Sequence, residues 1–253
     1  MKRKINLISF IGMIVALTLA MQTDTAAQQL LLNELEIDEP STISAACQYV
    51  ELRGTPGATV PANTFFLSIN SDSGNFGFTN QATNLGGVVV GSNGTITIIN
   101  TSQGLCPNRV FPTGTTLISF FNGLRLGTGS ETYLLVQSTT AIGTGVDLDT
   151  DDDGVFNANL TITVLDGFAL LVNPKEEYVY GASAGVINIS NNLTLDQPDA
   201  VTRFAGNNAP FLVSSFYYGE LAATPDETTQ YVAPFSPNFP AGGMLTPGAP
   251  NAP

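Results

Sequence analysis

Histidine and tryptophan are absent from the 253 residues, cysteine occurs twice, and only eight residues are Lys or Arg. Without histidine the chain lacks the usual general base of serine and cysteine hydrolases and the commonest transition-metal ligand. Calcium-dependent or carboxylate-only chemistry survives that exclusion, but little else does. The missing tryptophan removes the ring face most used as a sugar platform, leaving Phe and Tyr to substitute. After residue 21 no run is long and apolar enough to span a bilayer as a helix. Helical periodicity is nearly absent beyond that point, and no internal repeat of fixed period is found.

The first 27 residues are of a different kind. Met1-Lys2-Arg3-Lys4 opens a mostly apolar run from Ile5 to Met21, followed by polar residues and the small pair Ala26-Ala27. A basic start, an apolar middle and a small-residue end read as a cleavable secretory signal over 1–27. The alternative is a single anchoring helix, since the run is near the lower length limit for one. Secretion, or residence at the cell surface or in the periplasm, is the expected location, with no membrane span in the mature chain. Removing Lys2, Arg3, Lys4 and Asp24 leaves five basic and 20 acidic residues, a net charge of −15 against −13 for the whole sequence. The remaining cations (Arg53, Arg109, Arg125, Lys175, Arg203) are scattered. Phosphate binding rests on clustered Lys and Arg, so no direct nucleic-acid binding is expected. Two cysteines in an exported chain suggest a Cys47–Cys106 disulfide, two free thiols being the alternative.

The mature length suffices for one large β domain or two small ones. Short β-rich runs separated by Gly, Asn, Asp and Pro predict a sandwich or barrel. The expected strands are 30–37, 49–53, 64–69, 87–90, 95–99, 116–121, 132–137, 160–165, 169–172, 178–180, 186–189, 200–204, 215–218 and 229–232. Gly91-Ser92-Asn93-Gly94 and Pro56-Gly57 read as turns, because Asn and Gly tolerate positive φ. Residues 28–233 form the expected domain. Residues 234–253, rich in Pro and Gly, read as a non-strand tail or edge wrap without a hydrophobic anchor.

The clearest chemical motif is Asp147-Leu-Asp149-Thr-Asp151-Asp152-Asp153-Gly154-Val155-Phe156-Asn157. Calcium takes six to eight hard oxygen ligands, and alternating carboxylates in a tight loop converge on one ion. Gly154 permits the sharp turn, Val155 offers its carbonyl, and Asn157 binds directly or through water. This is the start of an EF-hand-type loop without its end: Leu160 stands where a bidentate Glu belongs, and the next residues look like a strand. Asp147 or Asp166 would have to complete the shell. The expected metal set is Asp147, Asp149, Asp151, Asp153, Val155 and Asn157, holding a structural calcium, with a solvated acidic turn as the alternative.

Other candidates are weaker. Glu34 and Glu51 lie on expected strands, where paired carboxylates can act as acid and base, although accepting structural hydrogen bonds is the commoner role. Ser183 and Ser190 lie in no nucleophile-elbow setting. Phe216-Tyr217-Tyr218 is the best aromatic patch. The Asn-x-Ser/Thr triplets at Asn93, Asn100, Asn159, Asn188 and Asn192 are what a chain rich in Asn and Thr produces by chance.

Leu31-Leu32-Asn33-Glu34-Leu35, then Tyr49-Val50-Glu51-Leu52-Arg53-Gly54-Thr55-Pro56-Gly57, then Phe65–Ile69 resembles the opening of lamin-tail domains in exported bacterial proteins. Leu245-Thr246-Pro247-Gly248-Ala249-Pro250-Asn251 resembles the usual close of that family. Asp149–Gly154, with Val164-Leu165-Asp166-Gly167 after it, is similar to an acidic insert of some members. The resemblance implies an all-β, immunoglobulin-like antiparallel sandwich of lamin-tail type, here with loop insertions, one of them holding Cys47. It also implies a binding or tethering role with no catalytic residues to carry over. The expected function is thus a non-enzymatic, calcium-stabilised exported module whose partner is an extracellular protein or polysaccharide. Two alternatives stand beside it. One is a secreted calcium-dependent hydrolase, a phosphodiesterase or glycosidase, using Glu34, Glu51 or Asp166. The other is a carbohydrate-binding module using Phe216–Tyr218.

Overall fold

The computed structural model describes residues 30–37, 47–101, 106, 109–120, 124, 126–127, 129–190, 197–204, 216–219, 245–249 and 251. The expected signal over 1–27, the strand at 229–232, Arg125 and Asn192 lie outside these residues, as does most of 234–253. The described residues form ten strands: β1 (Leu31–Glu36), β2 (Tyr49–Arg53), β3 (Thr64–Asn70), β4 (Thr79–Asn84), β5 (Thr95–Asn100), β6 (Thr116–Phe120), β7 (Glu131–Ser138), β8 (Ile162–Leu170), β9 (Ala200–Arg203) and β10 (Phe216–Gly219). They form a six-stranded sheet in the order β10-β9-β1-β2-β5-β6 and a four-stranded sheet in the order β4-β3-β7-β8. The fold is an all-β, immunoglobulin-like sandwich, antiparallel except for the parallel pair β5–β6. Among the described residues no helix is long and apolar enough to cross a membrane.

The main core lies between the sheets. Leu32, Leu35, Val50, Leu52, Ile96 and Ile98 from the six-stranded sheet meet Phe66, Tyr133, Leu135, Phe168 and Leu170 from the other. Period-2 alternation assigns these residues to one face of each strand, except in β1, where the bulge between Leu32 and Glu34 brings Leu32 and Leu35 to the same face. The opposite faces are also buried. Phe65, Leu67, Ile69, Leu134 and Val136 form a second cluster with Ile142, Leu148, Tyr180 and Val186. Tyr49, Ile99, Ala200 and Leu245 form a third on the outer face of the six-stranded sheet. Strands covered on both faces read as near-continuous apolar runs, which explains Phe65-Phe66-Leu67.

The disulfide Cys47–Cys106 is present, with Cα atoms 4.6 Å apart. It ties the entrance of β2 to the connection that follows β5.

Several expectations differ from the structure. Strand β4, polar but for Ala82 as Thr-Asn-Gln-Ala-Thr-Asn, has no apolar pattern to betray it; its pairing with β3 makes it a strand. Residues 87–90 exchange backbone hydrogen bonds with 57–60 yet form only the single bridge Thr59–Val89. Residues 178–180 are not a strand, and of 186–189 only Asn188 forms a bridge. The runs at 160–165 and 169–172 are one strand, β8, that passes through Asp166-Gly167. A Cβ on Gly167 would lie 2.5 Å from Leu134 Cδ2 and 2.8 Å from the Tyr133 carbonyl oxygen, so glycine there permits close strand contact rather than a break.

Candidate metal centre

The acidic loop leaves the sandwich beside the turn between β3 and β4. The Leu148 N–H donates to the Gly77 carbonyl at 3.0 Å, and the Asn157 N–H donates to the Leu148 carbonyl at 2.8 Å, closing the stem. Asp149 is fully buried. Its Oδ1 accepts from the Asp153 N–H at 3.1 Å, and its Oδ2 accepts from the Gly154 N–H and the Tyr180 hydroxyl, each at 2.8 Å. One carboxylate thus wraps the loop around itself. Gly154 has φ 81°, and Asp152 has φ 55°, a left-handed conformation that Asp tolerates better than most residues.

Two glycines allow the loop to seat. A Cβ on Gly77 would lie 2.6 Å from Asp149 Cβ, and one on Gly154 would lie 2.7 Å from the Tyr178 ring. Phe156 stacks on Tyr180 with centroids 5.7 Å apart. Burial and the Asp149 carboxylate push the Tyr180 hydroxyl up beyond the usual phenol range, so it remains a donor.

Carboxylate oxygens of Asp149, Asp151 and Asp153 lie within 4.8 Å of one another, a group able to hold a metal ion, with Asp151 and Asp153 exposed. Asp147 turns its Oδ1 to the Asp149 N–H at 2.9 Å. The Oδ1 of Asn157 accepts from the Thr150 N–H at 3.1 Å and hydroxyl at 2.8 Å. Both side chains brace the loop. Val155 is exposed at the tip, beside a cavity of about 370 Å³ lined in part by Phe156, Val164 and Ser183.

Asp166 does not complete the shell. A bulge between Leu135 and Val136 in the β7–β8 register turns it into the core. There it meets Arg203 at 2.7 Å, both side chains fully buried. A second bulge, in β1 between Leu32 and Glu34, leaves Asn33 opposite no β2 residue, and Leu32 lies beyond the β1–β9 pairing, which starts at Glu34. The Leu32 N–H then donates to Asp166 Oδ2 at 2.9 Å, and Arg203 Nε donates to the Leu32 carbonyl at 2.9 Å. Arg203 also lies over the Phe216 ring, 4.2 Å from its centroid. This unit is a strut between the two sheets.

Glu34 and Glu51 face each other across β1 and β2 and are fully buried. Glu34 accepts from the Tyr49 hydroxyl at 2.5 Å, the Thr202 hydroxyl at 3.0 Å and the Thr246 N–H at 2.9 Å. Glu51 accepts from Asn33 Nδ2 at 2.5 Å and from the Gly248 N–H. Burial raises Glu34 to about 7 against the pull of these donors, and burial with the Glu34 charge raises Glu51. The sequence alone did not single out Glu131, on β7. It accepts from the Ser68 hydroxyl at 2.7 Å and from Asn80 Nδ2, and burial raises it to about 8. Its single charge in an otherwise ordinary apolar strand was the available signal.

Phe216 and Tyr218 are buried, and Tyr217 packs on Phe204 with centroids 5.0 Å apart, so the three do not form a flat exposed strip. Ser183 lies on a single 3-10 turn, Ala182–Ala184. Ser190 is buried, and the Leu171 N–H donates to its hydroxyl at 2.8 Å.

No family model, no curated protein and no solved structure matches the chain.

Proposed function

We propose that the chain is an exported, non-enzymatic β-sandwich module of lamin-tail type that binds calcium in the Asp147–Asn157 loop. Its task is to bind or tether an extracellular protein or polysaccharide. The observation that carries the calcium reading is the convergence of Asp149, Asp151 and Asp153 within 4.8 Å in a loop turned by Gly154. Oxygen-only, carboxylate-rich donors suit a hard cation. Concentrating these charges without a counter-ion costs Coulomb energy, which an ion relieves. The ion's role is structural: it joins the exposed Asp151 and Asp153 to Asp149, which is already fixed to Tyr180 and covered by Gly77.

The non-enzymatic part rests on how the remaining carboxylates are used. Glu34, Glu51 and Asp166 are buried and engaged by protein donors, and the chain has no histidine. Export accounts for both the opening 27 residues and the disulfide.

Melting with calcium and with chelator tests the ion. Calcium should raise Tm by several degrees, with a saturable calorimetric signal that Asp151→Asn with Asp153→Asn removes. An unchanged Tm together with no heat of binding would sink the assignment.

A further inference from the structure

Among the described residues, 245–249 and 251 make no ladder with any strand, yet they are held by residues far away in sequence. Leu245 is 4% exposed and fills the apolar cluster on Tyr49, Ile99 and Ala200. Thr246–Ala249 is a self-contained turn, closed by the Ala249 N–H to the Thr246 carbonyl at 2.8 Å. Its two outward N–H groups, of Thr246 and Gly248, donate to Glu34 and Glu51 respectively. The Gly248 carbonyl accepts from Asn93 Nδ2 at 2.8 Å and from the Thr115 hydroxyl at 3.1 Å. Asn251 Nδ2 donates to Thr202 Oγ1 at 2.6 Å, the Arg203 carbonyl at 3.1 Å and the Asn33 carbonyl at 3.3 Å.

The receptor side is built for this turn. A Cβ on Gly248, at φ 79°, would lie 2.7 Å from Thr115 Oγ1 and 2.9 Å from Pro112 Cδ, so the site takes glycine there. Two buried carboxyl groups on adjacent strands need donors for their oxygens, and the segment supplies one N–H to each. Among the described residues, its polar contacts lie within the turn or go to Asn33, Glu34, Glu51, Asn93, Thr115, Thr202 and Arg203, all more than 40 residues away in sequence. Residues 220–244 separate β10 from Leu245. So many residues span on the order of 80 Å when extended, so the covalent link does not dictate whose segment fills the site.

We propose that the cleft around Glu34 and Glu51 is a peptide-recognition site, filled within one chain by its own Leu245–Asn251 and able to take that segment from a second copy. The ligand class is a short neutral turn of sequence Leu-Thr-Pro-Gly-x-x-Asn. Recognition is by carboxyl oxygens accepting from backbone N–H groups, with Leu and Asn side chains as anchors. This inference does not depend on calcium, and its test is run in chelator.

The test uses the full chain carrying Gly248→Val, whose own segment cannot seat, and a fluorescent peptide of residues 245–251. The variant should bind the peptide saturably and at least tenfold tighter than the wild type, whose site is filled. Glu51→Ala added to Gly248→Val should abolish that binding. A natively folded Gly248→Val chain with no saturable peptide binding overturns the proposal. If Gly248→Val does not fold, the wild-type chain with a protease site inserted in 220–244 replaces it. After nicking, the released fragment should stay associated and be displaced by excess peptide. A fragment that leaves at once, or one that never exchanges, overturns the proposal equally.

Discussion

At the scale of single residues, the strongest constraint is the pairing of Asp166 with Arg203. Each is fully buried, and the two sit on different sheets. Removing one partner leaves an uncompensated charge in the core, which costs about 3–5 kcal/mol. Asp166→Asn and Arg203→Met should each lower the unfolding free energy from urea titration by that amount. Asp166→Leu combined with Arg203→Met should recover most of the loss, because an apolar pair removes the desolvation penalty along with the attraction. The Leu32 N–H and carbonyl, bonded to Asp166 and Arg203, limit that recovery, since they lose their partners as well.

At the scale of elements, the disulfide fastens a part of the fold that the ladders do not. Cys106 belongs to the connection between β5 and β6, the one parallel pair, which cannot be made by a tight hairpin. Arg109 in the same connection donates to the Cys47 carbonyl at 2.6 Å and to Glu36 at 2.7 Å, and lies 4.6 Å from the Tyr49 ring centroid. Cystine and arginine together hold this connection on the outer face of the six-stranded sheet. Replacing both cysteines by serine should cost roughly 2–5 kcal/mol in thermal or chemical denaturation. It should also loosen the connection locally, which hydrogen exchange at 109–115 would report.

At the scale of the whole molecule, the sandwich is a sheet pair with covers on both outer faces, and its buried carboxyls make its stability depend on pH. Glu34 and Glu131 are raised to about 7 and about 8 from an ordinary value of 4.5. The folded chain therefore keeps protons that the unfolded chain gives up. Their favourable contribution is fully present below pH 4.5 and is lost as pH rises through 7 and 8. In chelator, Tm should fall between pH 5 and pH 8.5. Glu131→Gln, which keeps the shape and lacks the titration, should flatten the upper part of that decline. A Tm that rises over the range, or a variant with the wild-type slope, would refute the assignment.

What the sequence determined by itself was local. Short runs of apolar and β-branched residues between Gly, Asn, Asp and Pro marked β1, β2, β3, β5 and β7 and the all-β class, because such residues suit a pleated, half-buried surface. The Asp149, Asp151 and Asp153 spacing foretold a turn gathering three carboxylates, because a loop of a few residues with a glycine has few ways to close. Two cysteines left one intramolecular pairing. The tertiary structure decided everything that depends on register between distant segments. A one-residue bulge turned Asp166 away from the acidic loop and onto Arg203, and no local pattern announces a bulge. Pairing with β3 made a strand of the polar β4. Burial by the other sheet converted Phe216 and Tyr218 from an aromatic patch into core. Leu245, in a stretch that reads as an unanchored tail, is an anchor because Tyr49 and Ile99 leave an apolar place for it. Glu34 and Glu51 are neighbours only because β1 pairs with β2 beyond the bulge, and what they hold comes from the far end of the sequence.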